Sequence, residues 1–258
     1  MNGLPKYRDG SWTWNDWGEK IDVELLQVGF YAYALRLAIQ LAEDLDIHDD
    51  DTFLFDRMSS LRQNWRNAYT TDEGFRSASS KYVDDRANAM LVLSGLAEES
   101  DYEQIANVLA STYEASPFTE KYILDALGSM GHTDLAVKRM TERYSPMLSD
   151  DWDTLWEQFN DITGTRNHAW TAAPQYILAK YVAGIRPVAP GWESYEIVPY
   201  PDIESYSCSV WTPNGMITVE KNGTSLTVNA PAGGTLVLPG GQAHTIESAG
   251  VYTFEMGN

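Results

Sequence analysis

At GIRPVAPGW, residues 184–192, the sequence changes its period. Before it, apolar residues recur at steps of three and four, the spacing of one helix face; after it, short runs alternate between Pro, Gly and Asn, the spacing of strands. A chain with that break folds as a helical part, residues 1–186, followed by a β part, residues 187–258. The clearest strand pair is MITVEKNGTSLTVNA, where Asn222-Gly223 sits between two alternating segments and predicts a type I′ hairpin. TLVLPGG and VYTFEM complete the run expected of an antiparallel sandwich. Cys208 lies in this part and reads as a small buried strand residue. As the only cysteine it excludes an intrachain disulfide, a Cys-rich zinc site and a CxxC redox pair.

The helical part reads as about seven or eight helices in pairs joined by short turns. From Glu24, Leu26, Phe30, Tyr33, Leu37 and Leu41 share one face, and the alanines at 32, 34, 38 and 42 predict burial around much of the circumference. HDDD, 48–51, ends that helix, and Asp51 is the expected N-cap of the next, with Leu54, Met58, Leu61 and Trp65 on one face. Residues 69–81 read as a polar loop. A third helix follows with Val83, Ala87, Met90 and Ser94 on one stripe and Asp84, Asp85 and Arg86 at its entry. Acids there favour the helix dipole, and one of them could face a sugar. Ser100 with Glu103 predicts a capping box, Ser116-Pro117 an N-cap and N1 pair, and Thr133 a further cap. A last helix is expected from Ala172 to Ala183, stopped by Gly184.

Composition narrows the partners. Asp+Glu 37 against Lys+Arg 18 gives a formal charge of -19, which repels nucleic acid and anionic membranes. The β part has 7 acids and 1 base, so neither part is a polyanion clamp. No apolar run reads as a membrane span, and the start MNGLPKYRDG has no cationic n-region or apolar h-region, so a soluble chain without a targeting segment is expected. The histidines at 48, 132, 168 and 244 show no metal-ligand spacing, and no phosphate loop, nucleophile elbow or dinucleotide fingerprint occurs. No metal and no cofactor are expected.

Two segments carry chemistry. WDTLWEQFNDITGTRNHAWTAAP, residues 152–174, sets Trp152 and Trp156 beside Glu157, then passes through Gly-Thr-Arg-Asn to His168 and Trp170. Aromatic planes, an acid, an arginine, an amide and an imidazole suit a carbohydrate, whose C–H faces stack and whose hydroxyls hydrogen-bond. The same residues could instead form a tryptophan-rich plug between helices. SWTWNDWGE, residues 11–19, is either an aromatic clamp with Asp16 and Glu19 facing a cleft or a loop whose rings fold back onto the core.

WDTLWEQF, GTRNHAW, YVAGIRPVAPGWESYEIVPYP and the β-rich tail resemble the C-terminal portion of bacterial α-L-rhamnosidases, six-hairpin glycosidases of glycoside hydrolase family 78, and NDWGE resembles that family's aspartate-tryptophan motif. The resemblance implies a mainly α fold with a β domain: a partial (α/α)6 toroid of helical hairpins followed by an antiparallel β-sandwich. It implies inverting hydrolysis of terminal α-L-rhamnose. Glu157 would be the general base, and Trp17 and His168 match positions lining the sugar subsite. Trp14, Asp16, Asp85, Trp152, Trp156, Arg166 and Asn167 complete the residues expected around the sugar.

The family's general-acid motif, Asp-Glu-Arg followed by Gly-Trp, has no counterpart here. Asp84-Asp85-Arg86 echoes it only superficially, too late in the order and without the Gly-Trp sequel. About half of the twelve helices are missing with it, so a base-bearing C-terminal portion of a larger enzyme is expected. Its end helices would have unpaired inner faces, to be covered by the missing half or by self-association. The alternatives are a non-catalytic carbohydrate-binding fragment and a polysaccharide lyase on a similar toroid, the latter disfavoured by the negative charge.

Overall fold

The computed structural model describes residues 3–5, 15–148, 154–160 and 164–256. It comprises two compact units, Met1–Ala173 and Pro174–Asn258. The division falls before the last helix rather than at the change of period after it, because the last turn of that helix packs on strands of the second unit.

The first unit holds α1 (Val23–Leu45), α2 (Asp51–Tyr69), α3 (Asp85–Leu93), α4 (Glu99–Ser111), α5 (Pro117–Ser129) and α6 (Thr133–Tyr144). α1 packs on α2 and α3, α3 on α4 and α5, and α5 on α6. Every residue of α3 is buried, so the single stripe read from the sequence is too narrow. Its polar members are satisfied internally: Asn88 donates to the carbonyls of Phe75 and Asp84, both at 2.9 Å. α1 departs the other way. Leu25, Leu26, Val28, Gly29, Ala32 and Leu35 are buried, but Leu37, Leu41 and Leu45 are 47%, 58% and 57% exposed, so burial around its girth holds only for its first half. By length and composition alone α1 could cross a membrane, contrary to the sequence reading; its buried first half is also what a core helix shows.

Helix starts differ by one or two residues where several polar residues compete. Asp50, not Asp51, precedes α2, and His132, not Thr133, precedes α6. α4 begins before Ser100: the Asp101 carboxylate accepts the Glu98 amide at 2.8 Å, while Arg66 grips the same carboxylate at 2.5 and 2.8 Å. The expected polar loop contains a small hairpin, β1 (Thr70–Thr71) with β2 (Gly74–Phe75).

All but the first residue of α7 (Ala173–Ile177) belongs to the second unit, and the helix continues as one π-helical turn, Leu178–Val182. Its strands are β3 (Ile185–Pro187), β4 (Tyr195–Ile197), β5 (Ser205–Thr212), β6 (Gly215–Asn222), β7 (Ser225–Ala230), β8 (Gly234–Val237), β9 (Ala243–Ile246) and β10 (Gly250–Glu255). They form two four-stranded sheets, β10-β7-β6-β5 and β3-β4-β8-β9, antiparallel except for β4 with β8. Ile217, Val219, Leu226 and Val228 of one sheet and Ile185, Ile197, Leu236 and Ile246 of the other share one core, with the two-residue period of half-buried strands. The β6–β7 hairpin pairs Asn222 with Ser225, so the turn is Gly223-Thr224, one residue later than expected. Gly223 has φ +59 and Thr224 is not among the positive-φ residues, which excludes type I′ and fits a turn with glycine at its first central position.

Candidate functional site

Residues 154–157 and 165–168 lie side by side. The Glu157 amide donates to the Thr165 carbonyl and the His168 amide to the Leu155 carbonyl, both at 2.9 Å, and the Thr154 hydroxyl donates to the Arg166 carbonyl. The Thr171 hydroxyl ties in the Trp156 carbonyl at 2.6 Å. This frame fixes where Glu157 and His168 leave the backbone. Gly164 has φ +83, and a Cβ there would stand 3.1 Å from Glu157 Oε2 and 3.2 Å from its Cβ, so glycine suits both the left-handed backbone and the close pass by the carboxylate.

Glu157 is half-exposed. Its Oε2 accepts the Thr165 amide at 2.9 Å and the Thr165 hydroxyl at 3.2 Å. The amide bond first, then the hydroxyl and the nearby His168, hold its carboxyl below the ordinary range, because hydrogen bonds to the charged form favour it. The group is therefore an ionised carboxylate at neutral pH, able to accept a proton.

A cluster of rings adjoins His168. Trp170 is its centre, with the His168 ring at 3.7 Å, Trp17 at 5.1 Å and Phe118, from the first turn of α5, at 5.5 Å between centroids. The Trp17 and Phe118 contacts, tilted and edge-on, are arrangements that aromatic quadrupoles prefer. The Trp170 indole N–H is buried and has no partner among the described residues.

Of the residues expected around a sugar, Trp17, Arg166 and His168 are half-buried and Asn167 is exposed, all in or beside this frame. Arg166 also lies over the Trp156 ring at 5.4 Å. Three others are corrected by burial. Trp156 is 5% exposed and packs in the core. The Asp16 carboxylate is fully buried and accepts the Ser116 amide at 3.0 Å, the Ser116 hydroxyl, the Thr119 hydroxyl at 2.5 Å and Arg86 at 3.1 Å. Asp85 is likewise sealed, on Arg139 at 2.7 Å and the Ala115 amide at 3.3 Å. Carboxylates sealed in this way present no oxygen to a cleft. Trp14 and Trp152 lie outside the described residues. Phe118 is not singled out from the sequence, and Gly164, Thr165 and Trp170 stand in the quoted segment without a part assigned to them around the sugar. Trp170 stood in the quoted GTRNHAW, two residues after His168, and was the one within reach of sequence reasoning.

Beneath the site runs a buried ionic network. Arg86 binds Asp84 through Nε at 2.7 Å and Arg139 binds Glu120 through Nε at 2.7 Å, while Arg143 reaches Glu120 at 2.6 Å. Among the described residues no group of three His, Cys, Asp or Glu could hold a metal ion.

Residues 4–182 match the family model described as bacterial alpha-L-rhamnosidase 6 hairpin glycosidase domain. Three solved structures share the fold with TM-scores of 0.76: a family 78 rhamnosidase of Bacillus sp. GL1, 21% identical over 92% of this chain; an α-L-rhamnosidase of Dictyoglumus thermophilum, 16% identical over 92%; and the Streptomyces avermitilis α-L-rhamnosidase complexed with L-rhamnose, 16% identical over 100%. The chain spans only 28%, 30% and 28% of those chains' lengths. No curated protein matches.

Proposed function

The chain belongs to the bacterial α-L-rhamnosidase six-hairpin glycosidase domain family, and on that premise we propose that it is the base-bearing portion of an inverting α-L-rhamnosidase. Glu157 takes a proton from water as the water oxygen attacks the anomeric carbon from the face opposite the leaving group. The glycosidic C–O bond breaks, and the leaving oxygen receives its proton from a general acid about 6.5–9.5 Å from the base. That acid's motif has no counterpart in this sequence, so we assign the acid to residues outside this chain. His168 hydrogen-bonds a sugar hydroxyl, and Trp17 with Trp170 supplies the apolar wall for a C–H face.

The observation that carries this reading is the setting of Glu157: accessible, kept ionised by Thr165, and on the same frame as His168. L-rhamnose as the sugar is supported by the Streptomyces avermitilis complex. Calorimetric titration with L-rhamnose tests the assignment. Glu157→Gln keeps the binding, because the base acts on water, and His168→Ala weakens it by about tenfold, the worth of one good hydrogen bond. A His168→Ala variant that binds as tightly as the wild type would overturn the role given to His168.

A second reading, a carbohydrate-binding piece with no chemistry of its own, is favoured by the missing acid motif alone. Hydrolysis of an aryl α-L-rhamnoside by this chain by itself would refute it and would return the acid to this chain.

A further inference from the structure

We propose that Arg86 is the positioning residue that holds Trp17 against Trp170, and so sets the aromatic wall of the site; its value for sugar binding rests on the rhamnosidase reading above. Residues 15–20 form no helix or strand, so the course of this segment is not set by a regular element of its own. Arg86 reaches this segment from α3. Its side chain is 1% exposed, and Nη1 donates to the Trp17 carbonyl at 3.1 Å and to Asp16 at 3.1 Å, while Nη2 donates to the Lys20 carbonyl at 2.8 Å. Nε is anchored on Asp84 at 2.7 Å, at the entry of a wholly buried helix.

The guanidinium therefore joins a rigid element to three successive points on an irregular segment, a fork that a lysine ammonium cannot reproduce. Asp16 extends the clamp to the N-terminus of α5 through Ser116 and Thr119. That is the turn from which Phe118 reaches Trp170. Two of the three rings around Trp170 or at its edge thus take their place from one arginine–carboxylate pair. The Asp84-Asp85-Arg86 run, an echo of an acid motif in the sequence, is a structural support of the sugar wall.

Arg86→Lys tests this, with Arg139→Lys as the control: Arg139 is an equally buried arginine of the same network that makes no bond to residues 15–20. The Trp17–Trp170 pair, with ring centroids 5.1 Å apart, should give an exciton couplet in circular dichroism, assigned by its loss in Trp17→Phe. Arg86→Lys is expected to lose the couplet and to bind L-rhamnose about tenfold or more weakly, since misplacement of a contact by an ångström has such costs. Arg139→Lys should keep both. If Arg86→Lys does not fold, Asp16→Asn is read with the same expectation. A couplet preserved in the folded Arg86→Lys or Asp16→Asn chain, or lost equally in Arg139→Lys, overturns the proposal. A wild-type chain that shows the couplet, loses it in Arg86→Lys and binds no L-rhamnose sinks the rhamnosidase reading and leaves the placement of Trp17 by Arg86 standing.

Discussion

Asp84 is fully buried between the Asp22 amide at 2.8 Å and Arg86, and burial, with Asp85 adding to it, outweighs Arg86 and pushes its carboxyl up to about 6. Glu157, on an accessible edge, is held low by Thr165. The same functional group is thus tuned in opposite directions by solvent and by donors. A folded-state value above the unfolded one means that the proton on Asp84 stabilises the fold fully below about 3.9 and that this proton-linked part is lost as pH rises through about 6, leaving the ion pair with Arg86. The urea midpoint of the wild type should fall relative to that of Asp84→Asn as pH is raised across that window. Asp84→Ala leaves Arg86 buried without its nearest anion, which should cost about 3–5 kcal/mol in urea unfolding at neutral pH. For Glu157 the acid limb of any base-dependent activity should lie below the ordinary glutamate range, because the Thr165 amide and hydroxyl favour the carboxylate. Thr165→Val, which removes one of the two donors, should move that limb upward.

Among the elements, the close approach of α1 and α3 rests on Gly29, where a Cβ would meet the Met90 Cβ at 2.6 Å. Alanine is the better helix former by about 0.5–1 kcal/mol, but overpacking costs about 1–3 kcal/mol. Gly29→Ala is therefore expected to lower the unfolding midpoint, and a raised midpoint would show that the two helices can part. Such contacts explain what the sequence made legible. Ser116-Pro117 was readable because cap and first turn are local, and Ser116 does cap α5, accepting the Phe118 amide at 3.3 Å. Ser100 misled because Arg66 and Glu98 recruit Asp101 from 35 and three residues away, and the β6–β7 turn slipped by one because cross-strand pairing, not the Asn-Gly dipeptide, set the register. At the site, Glu157 and His168 were visible as a run of unusual residue types. Asp16 and Asp85 were misread because their partners, Ser116 and Arg139, stand 100 and 54 residues away, and no spacing rule reaches that far.

For the whole molecule, the stripe Leu37, Leu41 and Leu45 with Ile47, Phe53 and Phe55 leaves large apolar side chains about half-exposed at one end of the helical unit. Exposed apolar patches of that kind mark contact surfaces. Sedimentation should show concentration-dependent association of the wild type that Leu41→Lys with Leu45→Lys relieves, and identical profiles would show that the stripe is not a contact surface. The chain spans under a third of the length of the three rhamnosidases whose fold it shares, and its base and its acid are assigned to different stretches of a longer protein. α-L-Rhamnosyl fluoride separates the two, because fluoride leaves without a proton and needs only the base. The measurement is its hydrolysis by this chain and by Glu157→Gln, with the first-formed anomer read by proton resonance. Release of β-L-rhamnose by the wild type and a fall of about 10²–10⁴-fold in the variant, the usual worth of general-base assistance, is the predicted result. A Glu157→Gln chain as fast as the wild type, or α-L-rhamnose as the first product, would contradict it.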